Sequence, residues 1–223
     1  MDQWWRDITF LHWPVDPALV APLLPRGVRP DLYGGAAWVG LIPFRMVDAG
    51  VGSGRPVPWL GTFLETNVRL YSTDDRGRRG VVFCSLDADR LAVVAGASAG
   101  FGVPYKWARM TAAQVTGGWR YEMRRRTGAR PRSVIDVEVG EPVEPGPLEL
   151  FLTARFGLHT SVLGRTLWVP NTHGPWPLHD ATVRELHDEL VTAAGLPGVA
   201  TTAPASVLHS PGVRTWFGLP QAL

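Results

Sequence analysis

Residues 63–71 read FLETNVRLY, and two kinds of side chain alternate along them. Phe63, Glu65, Asn67, Arg69 and Tyr71 share one side of an extended chain, and Leu64, Thr66, Val68 and Leu70 share the other. Because successive strand residues point to opposite faces of a sheet, this period predicts a β-strand. The polar side fits two interpretations, a solvated sheet surface or the polar lining of a barrel interior.

Strand patterns continue on both sides of this stretch. They cover residues 8–13, 38–46, 81–86, 108–115, 119–125, 133–139, 158–163 and 165–169. Gly117-Gly118 and Gly164 lie between neighbouring patterns, where glycine favours tight hairpin turns. Many short strands joined by turns predict a mainly β (α+β) protein, an antiparallel barrel or strongly curled sheet with a few peripheral helices. Without a linker or repeat, residues 1–223 read as one domain.

Helical signals are few. Asp16 is suited to cap a short helix that starts at Pro17. Residues 91–102 are small and apolar and fit a short helix against the sheet, while residues 148–156 fit either a strand or a helix. The longest predicted helix covers residues 180–194, with an apolar stripe and a stop at Gly195. The stripe consists of Val183, Leu186, Leu190 and Val191.

Composition excludes several classes of function. The 223 residues carry 22 basic and 20 acidic side chains, for a net charge of +2, which gives little long-range attraction for nucleic acid. No apolar run approaches the roughly 18 residues needed to cross a bilayer, and the first residues do not read as a signal peptide. Cys84 is the only cysteine, so an intrachain disulfide is excluded. We therefore expect a soluble cytoplasmic protein.

The single lysine, Lys106, stands out among the basic residues, because the other 21 are arginines. A lysine in apolar surroundings loses its proton more easily and becomes a nucleophilic amine, which arginine cannot do. Lysine scarcity also follows from simple compositional drift, and a lysine at a strand end can extend its amine into water. Both interpretations of Lys106 remain open at the level of sequence.

Motifs for metals and cofactors are missing from the sequence. His179 and His187 lie eight residues apart, whereas metal-binding helices space histidines three or four apart. One G-x-S-x-G match occurs, GASAG (96–100), but its small apolar surroundings favour helix packing over a nucleophile elbow. The sequence contains no P-loop and no dinucleotide-binding glycine pattern. We expect neither a metal site nor a cofactor.

Motifs along nearly the whole chain resemble the YqjF-like family of uncharacterised bacterial proteins. They occur in order as FLHWPV (10–15), LLP (23–25), GLIPFRM (40–46), ETNVR (65–69), FCSLDA (83–88), PYKWARM (104–110), HGPWPL (173–178) and HSPGV (209–213). The family is in turn similar to acetoacetate decarboxylase, whose fold is a β-cone or barrel around an apolar cavity. The resemblance implies that fold for this chain.

The decarboxylase resemblance also implies an active site. In that enzyme a lysine forms a Schiff base with a keto acid, beside an arginine, glutamates and an adjacent lysine. RDITF (6–10) resembles the strand start that carries the arginine, FLE (63–65) the strand with one glutamate, and GVPYK (102–106) the lysine segment. Tyr105 then stands at the Schiff-base position and Lys106 at the adjacent one. Because neighbouring strand residues alternate, we expect one of these two to face the cavity and the other to leave it, and the positional match favours Tyr105.

These observations predict a small-molecule enzyme, a possible lyase resembling acetoacetate decarboxylase. It would act on a small keto acid or a related carbonyl or carboxylate compound by decarboxylation or by an aldol or dehydration step. The predicted catalytic residues are Lys106, Glu65, Arg6 and Tyr105, and the predicted substrate-binding residues are Asn67 and Arg69. The alternatives are a non-catalytic protein that binds an apolar or acidic metabolite in the same cavity, and a structural or interaction protein whose barrel is filled by its own side chains. The expected partner is a small molecule rather than nucleic acid or membrane. The sequence is compatible with a homo-oligomer and does not decide the oligomeric state.

Overall fold

The computed structural model describes residues 2–49, 61–91 and 102–223. Strands dominate these ranges, as the alternating patterns predict. The strands found there are β1 (Asp2–Val15), β2 (Val28–Pro30), β3 (Ala37–Val47), β4 (Phe63–Asp74), β5 (Arg79–Ala88), β6 (Tyr105–Val115), β7 (Gly118–Arg125), β8 (Arg132–Pro142), β9 (Gly157–Val162), β10 (Arg165–His173), β11 (His179–Asp188), β12 (Ser206–Phe217) and β13 (Gln221–Ala222).

Helices are short. Over the same described ranges they are α1 (Pro17–Val20), α2 (Pro147–Thr153) and α3 (Leu190–Ala193), with single 3-10 turns at Ala21–Leu23 and Val199–Thr201. The predicted cap of α1 is confirmed, because Asp16 accepts a hydrogen bond from the Ala18 amide at 2.8 Å. The ambiguous segment 148–156 folds mainly as α2. The small apolar segment predicted as a helix lies outside the described residues after Leu91. No helix in the described part of the chain is long and apolar enough to span a membrane.

The strands form one sheet that closes on itself twice. Its order is β13-β10-β9-β5-β6-β7-β8-β11-β12-β1-β3-β4-β2, with further pairs β5–β4 and β10–β12. A larger ring therefore runs through β5, β6, β7, β8, β11, β12, β1, β3 and β4. A smaller ring replaces β6, β7, β8 and β11 with β9 and β10. Pairing is antiparallel except where β5 meets β6 and β9, so the predicted curled antiparallel sheet is confirmed.

The shared strands have one apolar core on each face. On the face toward β6, β7 and β8, Leu11, Val68 and Leu70 pack against Ile135 and Val137. We call the opposite face, turned toward β9, β10 and α2, the inner face. Its apolar groups include Phe10, Phe44 and Trp176 near one end, and Tyr71, Phe151 and Leu152 near the other. The two faces explain why both sides of β4 are buried almost throughout.

The predicted helix over 180–194 is wrong. Residues 179–188 form β11, which pairs with β8, and only Leu190–Ala193 are helical. The pairing register shifts between Val183 and Glu185, so one residue of β11 is extra at that point. This β-bulge keeps Val183 and Leu186 on the same face, opposite Val137 and Ile135. A spacing of three, which is typical of a helix, is here the result of a bulge in a strand.

A buried threonine gives a first test of the packing inside the larger ring. Thr9 is fully buried, and its hydroxyl lies 3.1 Å from both Tyr121 Oη and His209 Nδ1. We expect Thr9→Val to lower the free energy of unfolding by about 1–2 kcal/mol, because the shape is kept while buried polar atoms lose a partner. The exposed Thr111→Val on β6 should change it by less than about 0.5 kcal/mol in the same urea titration. Equal stability of the two variants would contradict this role of Thr9.

Candidate functional site

The polar side of β4 belongs to the inner face and is not a solvated surface. Glu65, Asn67 and Arg69 are 3%, 4% and 7% exposed. Because β4 is paired on both sides, with β3 and β5, its backbone is fixed and the period of two holds these side chains in one row. The interpretation as an interior lining is therefore the one that agrees with the structure.

A carboxylate–phenol pair lies at one end of this row. The Tyr105 hydroxyl donates a hydrogen bond of 2.8 Å to Glu65 Oε2. Tyr105 begins β6 and pairs with Leu86 of β5, which in turn lies beside Asn67. The two sheet pairings thus bring residues 40 positions apart in the sequence into contact.

Burial changes the acidity of the Glu65 carboxyl. It raises the pKa from the ordinary value of 4.5 to about 7, and the nearby charge of Asp87 acts in the same direction. Hydrogen bonds from Tyr105 and Asn67 oppose this rise because they stabilise the ionised form. Near neutral pH the group therefore exists in both protonation states, which suits a residue that accepts and returns a proton.

The Tyr105 phenol is held in its protonated form. Burial raises its pKa well above 10, and the negative charge of Glu65 and the hydrogen bond to it add to the rise. A phenol in this state donates a hydrogen bond rather than acting as a base. The pair therefore combines one titrating group with one fixed donor.

Lys106 does not join this pair. Tyr105 turns to the inner face and, because successive strand residues alternate, the Lys106 side chain points outward and is exposed. The expectation that one of the two enters and the other leaves agrees with this arrangement. The structure therefore does not bring Lys106 to the Glu65–Tyr105 pair, and its predicted catalytic role stays a prediction.

Arg6 also lies elsewhere. It is exposed, and its guanidinium stacks at 4.3 Å over the ring of Trp4. The reason is an irregularity in β1, where Asp7 has a φ of 51° and the pairing with β3 shifts between Arg6 and Leu11. Before Asp7 the inner face takes Trp5, and after it Ile8 and Phe10, so Arg6 falls on the outside. The structure therefore does not bring Arg6 to the inner face, and its predicted role there stays a prediction.

A second polar group surrounds Arg69 at the other end of the row. Arg69 Nε and Nη2 donate to Tyr71 Oη at 3.1 and 3.0 Å, and Nη2 also donates to the Leu152 carbonyl at 3.0 Å. Tyr71 Oη donates to the same carbonyl and lies 2.6 Å from His12 Nε2. Arg69 is thereby fixed between β4 and α2.

His12, for which the sequence predicts no role, shares the inner face with Phe10 two residues earlier. Burial lowers its pKa well below 6.5, and the positive charges of Arg69 and Arg155 lower it further. His12 is therefore neutral at physiological pH. The alternation of side chains along β1 after Asp7 is the sequence signal that predicts His12 on the inner face.

Metal-binding side chains do not gather in the part of the chain that the structure describes. There, no group of three or more histidine, cysteine, aspartate or glutamate side chains could hold a metal ion.

Sequence comparisons match this chain to a family of uncharacterized proteins and to a bacterial relative. The family DUF2071, described as an uncharacterized conserved protein, matches residues 2–214. The Uncharacterized protein YqjF of Bacillus subtilis (strain 168) is 30% identical over 212 residues, covering 94% of this chain and 86% of that protein.

Solved structures similar to this chain include acetoacetate decarboxylases and a biosynthetic enzyme. Acetoacetate decarboxylase from Legionella pneumophila superposes with a TM-score of 0.68 at 15% identity, over 100% of this chain and 86% of that one. An acetoacetate decarboxylase-like enzyme from Sphingomonas wittichii RW1 gives 0.63 at 15% identity, over 100% and 92%. The enduracididine biosynthesis enzyme MppR, in complex with pyruvate, gives 0.63 at 15% identity, over 99% and 89%. At these identities the likeness concerns the fold.

Proposed function

Because the chain belongs to the DUF2071 family and has the acetoacetate decarboxylase-like fold, we propose that it is an enzyme acting on a small keto acid or related carbonyl compound through an enolate. The observation that carries the proposal is the buried hydrogen bond from Tyr105 to Glu65, whose carboxyl titrates near neutral pH. The pair supplies a base and a hydrogen-bond donor at one place, which enolate formation requires.

The proposed step is a proton transfer next to a carbonyl group. The Glu65 carboxylate removes a proton from the carbon beside the carbonyl, the electron pair of that C–H bond forms the C=C bond of the enolate, and the carbonyl oxygen gains the negative charge. When the substrate is bound, the single O–H of Tyr105 turns from Glu65 to this oxygen and donates its hydrogen bond there. In the reverse direction the protonated Glu65 returns the proton to carbon.

The same enolate connects the reactions that the family resemblance implies. Loss of carbon dioxide from a 3-keto acid leaves an enolate that Glu65 can protonate, and attack of an enolate on an aldehyde is an aldol step. The enzyme would then be a lyase, and its single cysteine fits a reducing cytoplasm. The pyruvate bound by the similar MppR structure supports a ligand of this size.

Tyr105 also distinguishes this proposal from the Schiff-base route. By the resemblance, Tyr105 occupies the position of the lysine that forms the imine, and the only lysine of the chain faces outward. A phenol cannot form an imine. The same substitution favours the alternative function, a non-catalytic protein that binds a small acid on the inner face.

Hydrogen exchange in D₂O tests the proposal. The purified protein is incubated with pyruvate, 2-oxobutanoate and acetoacetate, and deuterium at the carbon beside the carbonyl, together with loss of carbon dioxide, is followed by NMR. We expect exchange or decarboxylation above the rate without protein, and no mass increase of the protein after borohydride treatment.

Two results would contradict the enolate route. Borohydride labelling of Lys106, mapped by peptide mass and lost in Lys106→Arg, would show a Schiff base. Binding of these acids without any exchange or decarboxylation would instead support the non-catalytic alternative.

A further inference from the structure

Arg69 is a buried cation without an acidic partner in the described ranges 2–49, 61–91 and 102–223. It is 7% exposed, and none of the ion pairs formed there includes it. Its guanidinium lies 5.6 Å from the Phe10 ring and 5.4 Å from the Tyr71 ring, so aromatic faces cover it. A guanidinium stays charged at any physiological pH, and a buried charge is costly unless an opposite charge joins it.

Arg155 shows how the same fold compensates a neighbouring cation. It is 5% exposed and lies over the Tyr71 ring at 4.9 Å, but it donates to Asp31 Oδ2 at 2.5 Å. Two arginines therefore flank Tyr71, and among the residues that the structure describes only Arg155 pairs with a carboxylate. The hydrogen bonds of Arg69 use Nε and Nη2, so Nη1 keeps its two N–H groups without a partner among the described residues.

Asn67 supplies a second, independent observation. It is 4% exposed, and its Oδ1 is buried without a hydrogen-bond partner in the part of the chain that the structure describes. The amide nitrogen is accounted for by the hydrogen bond that Asn67 gives to the Glu65 carboxyl. An unpaired buried acceptor of this kind costs about 1–3 kcal/mol, and a ligand that donates a hydrogen bond removes this cost.

These atoms lie in one row on β4. Side chains two residues apart on a strand are separated by about 7 Å, so Asn67 stands between the Glu65 carboxyl and the Arg69 guanidinium. From Glu65 onward the row offers a proton acceptor, a hydrogen-bond acceptor and a cation. It matches a molecule that carries a reacting carbon, a hydroxyl group and a carboxylate in that order.

We propose that Asn67 and Arg69 form a recognition subsite for a small hydroxy acid, or for the enol of a keto acid, with the carboxylate on Arg69 Nη1 and the hydroxyl hydrogen on Asn67 Oδ1. The inference deepens the proposed function, because it takes Glu65 as the reacting end of the same row. It assigns the recognised end of the substrate to a hydroxy-acid segment of about three to five carbons, because neighbouring positions of the row lie about 7 Å apart and Glu65 lies one position further along.

Matched ligands test the subsite on the unmodified protein. Lactate, 3-hydroxybutanoate and 4-hydroxypentanoate are each compared with their neutral amide and with the acid that lacks the hydroxyl, by isothermal titration. For at least one length we expect the hydroxy acid to bind about tenfold or more tightly than its amide, and several-fold more tightly than the deoxy acid. If no acid binds more tightly than its amide at any length, the subsite is wrong.

Variants assign the two contacts. Asn67→Ala should remove the preference for the hydroxyl while keeping the preference for the carboxylate. The matched control is Asn171→Ala, because Asn171 on β10 is 7% exposed and its Oδ1 likewise has no hydrogen-bond partner within the described ranges. It should leave both preferences unchanged, and a loss of hydroxyl preference there as well would overturn the assignment to Asn67. Arg69→Lys, which keeps the charge but not Nη1, should reduce the preference for the carboxylate.

Glu65→Gln separates this inference from the proposed function. Carboxylate-selective binding that persists in Glu65→Gln, while exchange is absent even in the unmodified protein, supports the subsite and contradicts the enzyme. Exchange by the unmodified protein with equal affinity for acid and amide supports the enzyme and contradicts the subsite.

Discussion

Replacing Tyr105 with phenylalanine is expected to lower kcat/KM for enolate formation by about 10²–10³-fold. The ring stays in place, but the hydroxyl that donates to Glu65 Oε2 at 2.8 Å is lost. In the proposed step this hydroxyl stabilises the enolate oxygen, a charge that develops mainly in the transition state. The measurement is the initial rate of deuterium incorporation for the keto acid that the unmodified protein exchanges fastest.

Tyr121→Phe is the matched control for loss of a buried phenol. Tyr121 is 5% exposed, and its hydroxyl donates to the Asp7 carbonyl at 2.7 Å on the face away from Glu65. We expect the control to lose stability without a comparable loss of rate. Similar rates in the two variants would show that Tyr105 has no specific part in the reaction.

The pH dependence of the rate provides a second test of the Tyr105→Phe variant. Activity that needs the Glu65 carboxylate should rise with pH through about 7 in the unmodified protein. The hydrogen bond from Tyr105 favours the carboxylate and holds the pKa of Glu65 down, so its loss should move this rise to higher pH. An unchanged profile would contradict the coupling of Tyr105 to Glu65.

The row on β4 could be predicted from sequence because local alternation determines it. In a strand paired on both sides, Glu65, Asn67 and Arg69 must share a face whatever surrounds them. Whether that face is solvent-exposed or buried depends on which secondary-structure elements cover it. Here α2 and β10 do so, and their packing partners are far away in sequence, as the contact of Arg69 with the Leu152 carbonyl shows.

Two local irregularities account for the outward position of Arg6 and for the wrong helix prediction at β11. At Asp7 a positive φ reverses the alternation of β1, which turns Arg6 outward. In β11 an extra residue next to Val183 produces the spacing of a helix within a strand. Both effects depend on pairing with a neighbouring strand, so neither follows from the periodicity of the segment itself.

The contact between Tyr105 and Glu65 could be predicted only in part from the sequence. Alternation allowed one of Tyr105 and Lys106 to face inward, and the family resemblance favoured Tyr105. The partner of the hydroxyl did not follow from either argument, because it is set by the register of β6 on β5 and of β5 on β4.

The buried carboxyl of Glu65 predicts a second large effect, on stability. Below about pH 4.5 it is protonated in the folded and the unfolded chain. As the pH rises from 4.5 to about 7 the unfolded chain releases this proton while the folded chain retains it, so the free energy of unfolding falls. A tenfold change in proton affinity corresponds to about 1.4 kcal/mol, so the loss is about 3 kcal/mol and is complete above pH 7.

Glu65→Gln should remove this loss, since glutamine does not titrate. Relative to the unmodified protein, the variant should therefore gain about 3 kcal/mol in the free energy of unfolding between pH 4.5 and pH 8, measured by urea titration at several pH values. Glu144→Gln, at an exposed position, should show the same pH dependence as the unmodified protein. If the difference between Glu65→Gln and the unmodified protein is constant over this range, Glu65 ionises alike in the folded and unfolded chains. The carboxyl would then lack the raised pKa on which its role as a proton acceptor near neutral pH depends.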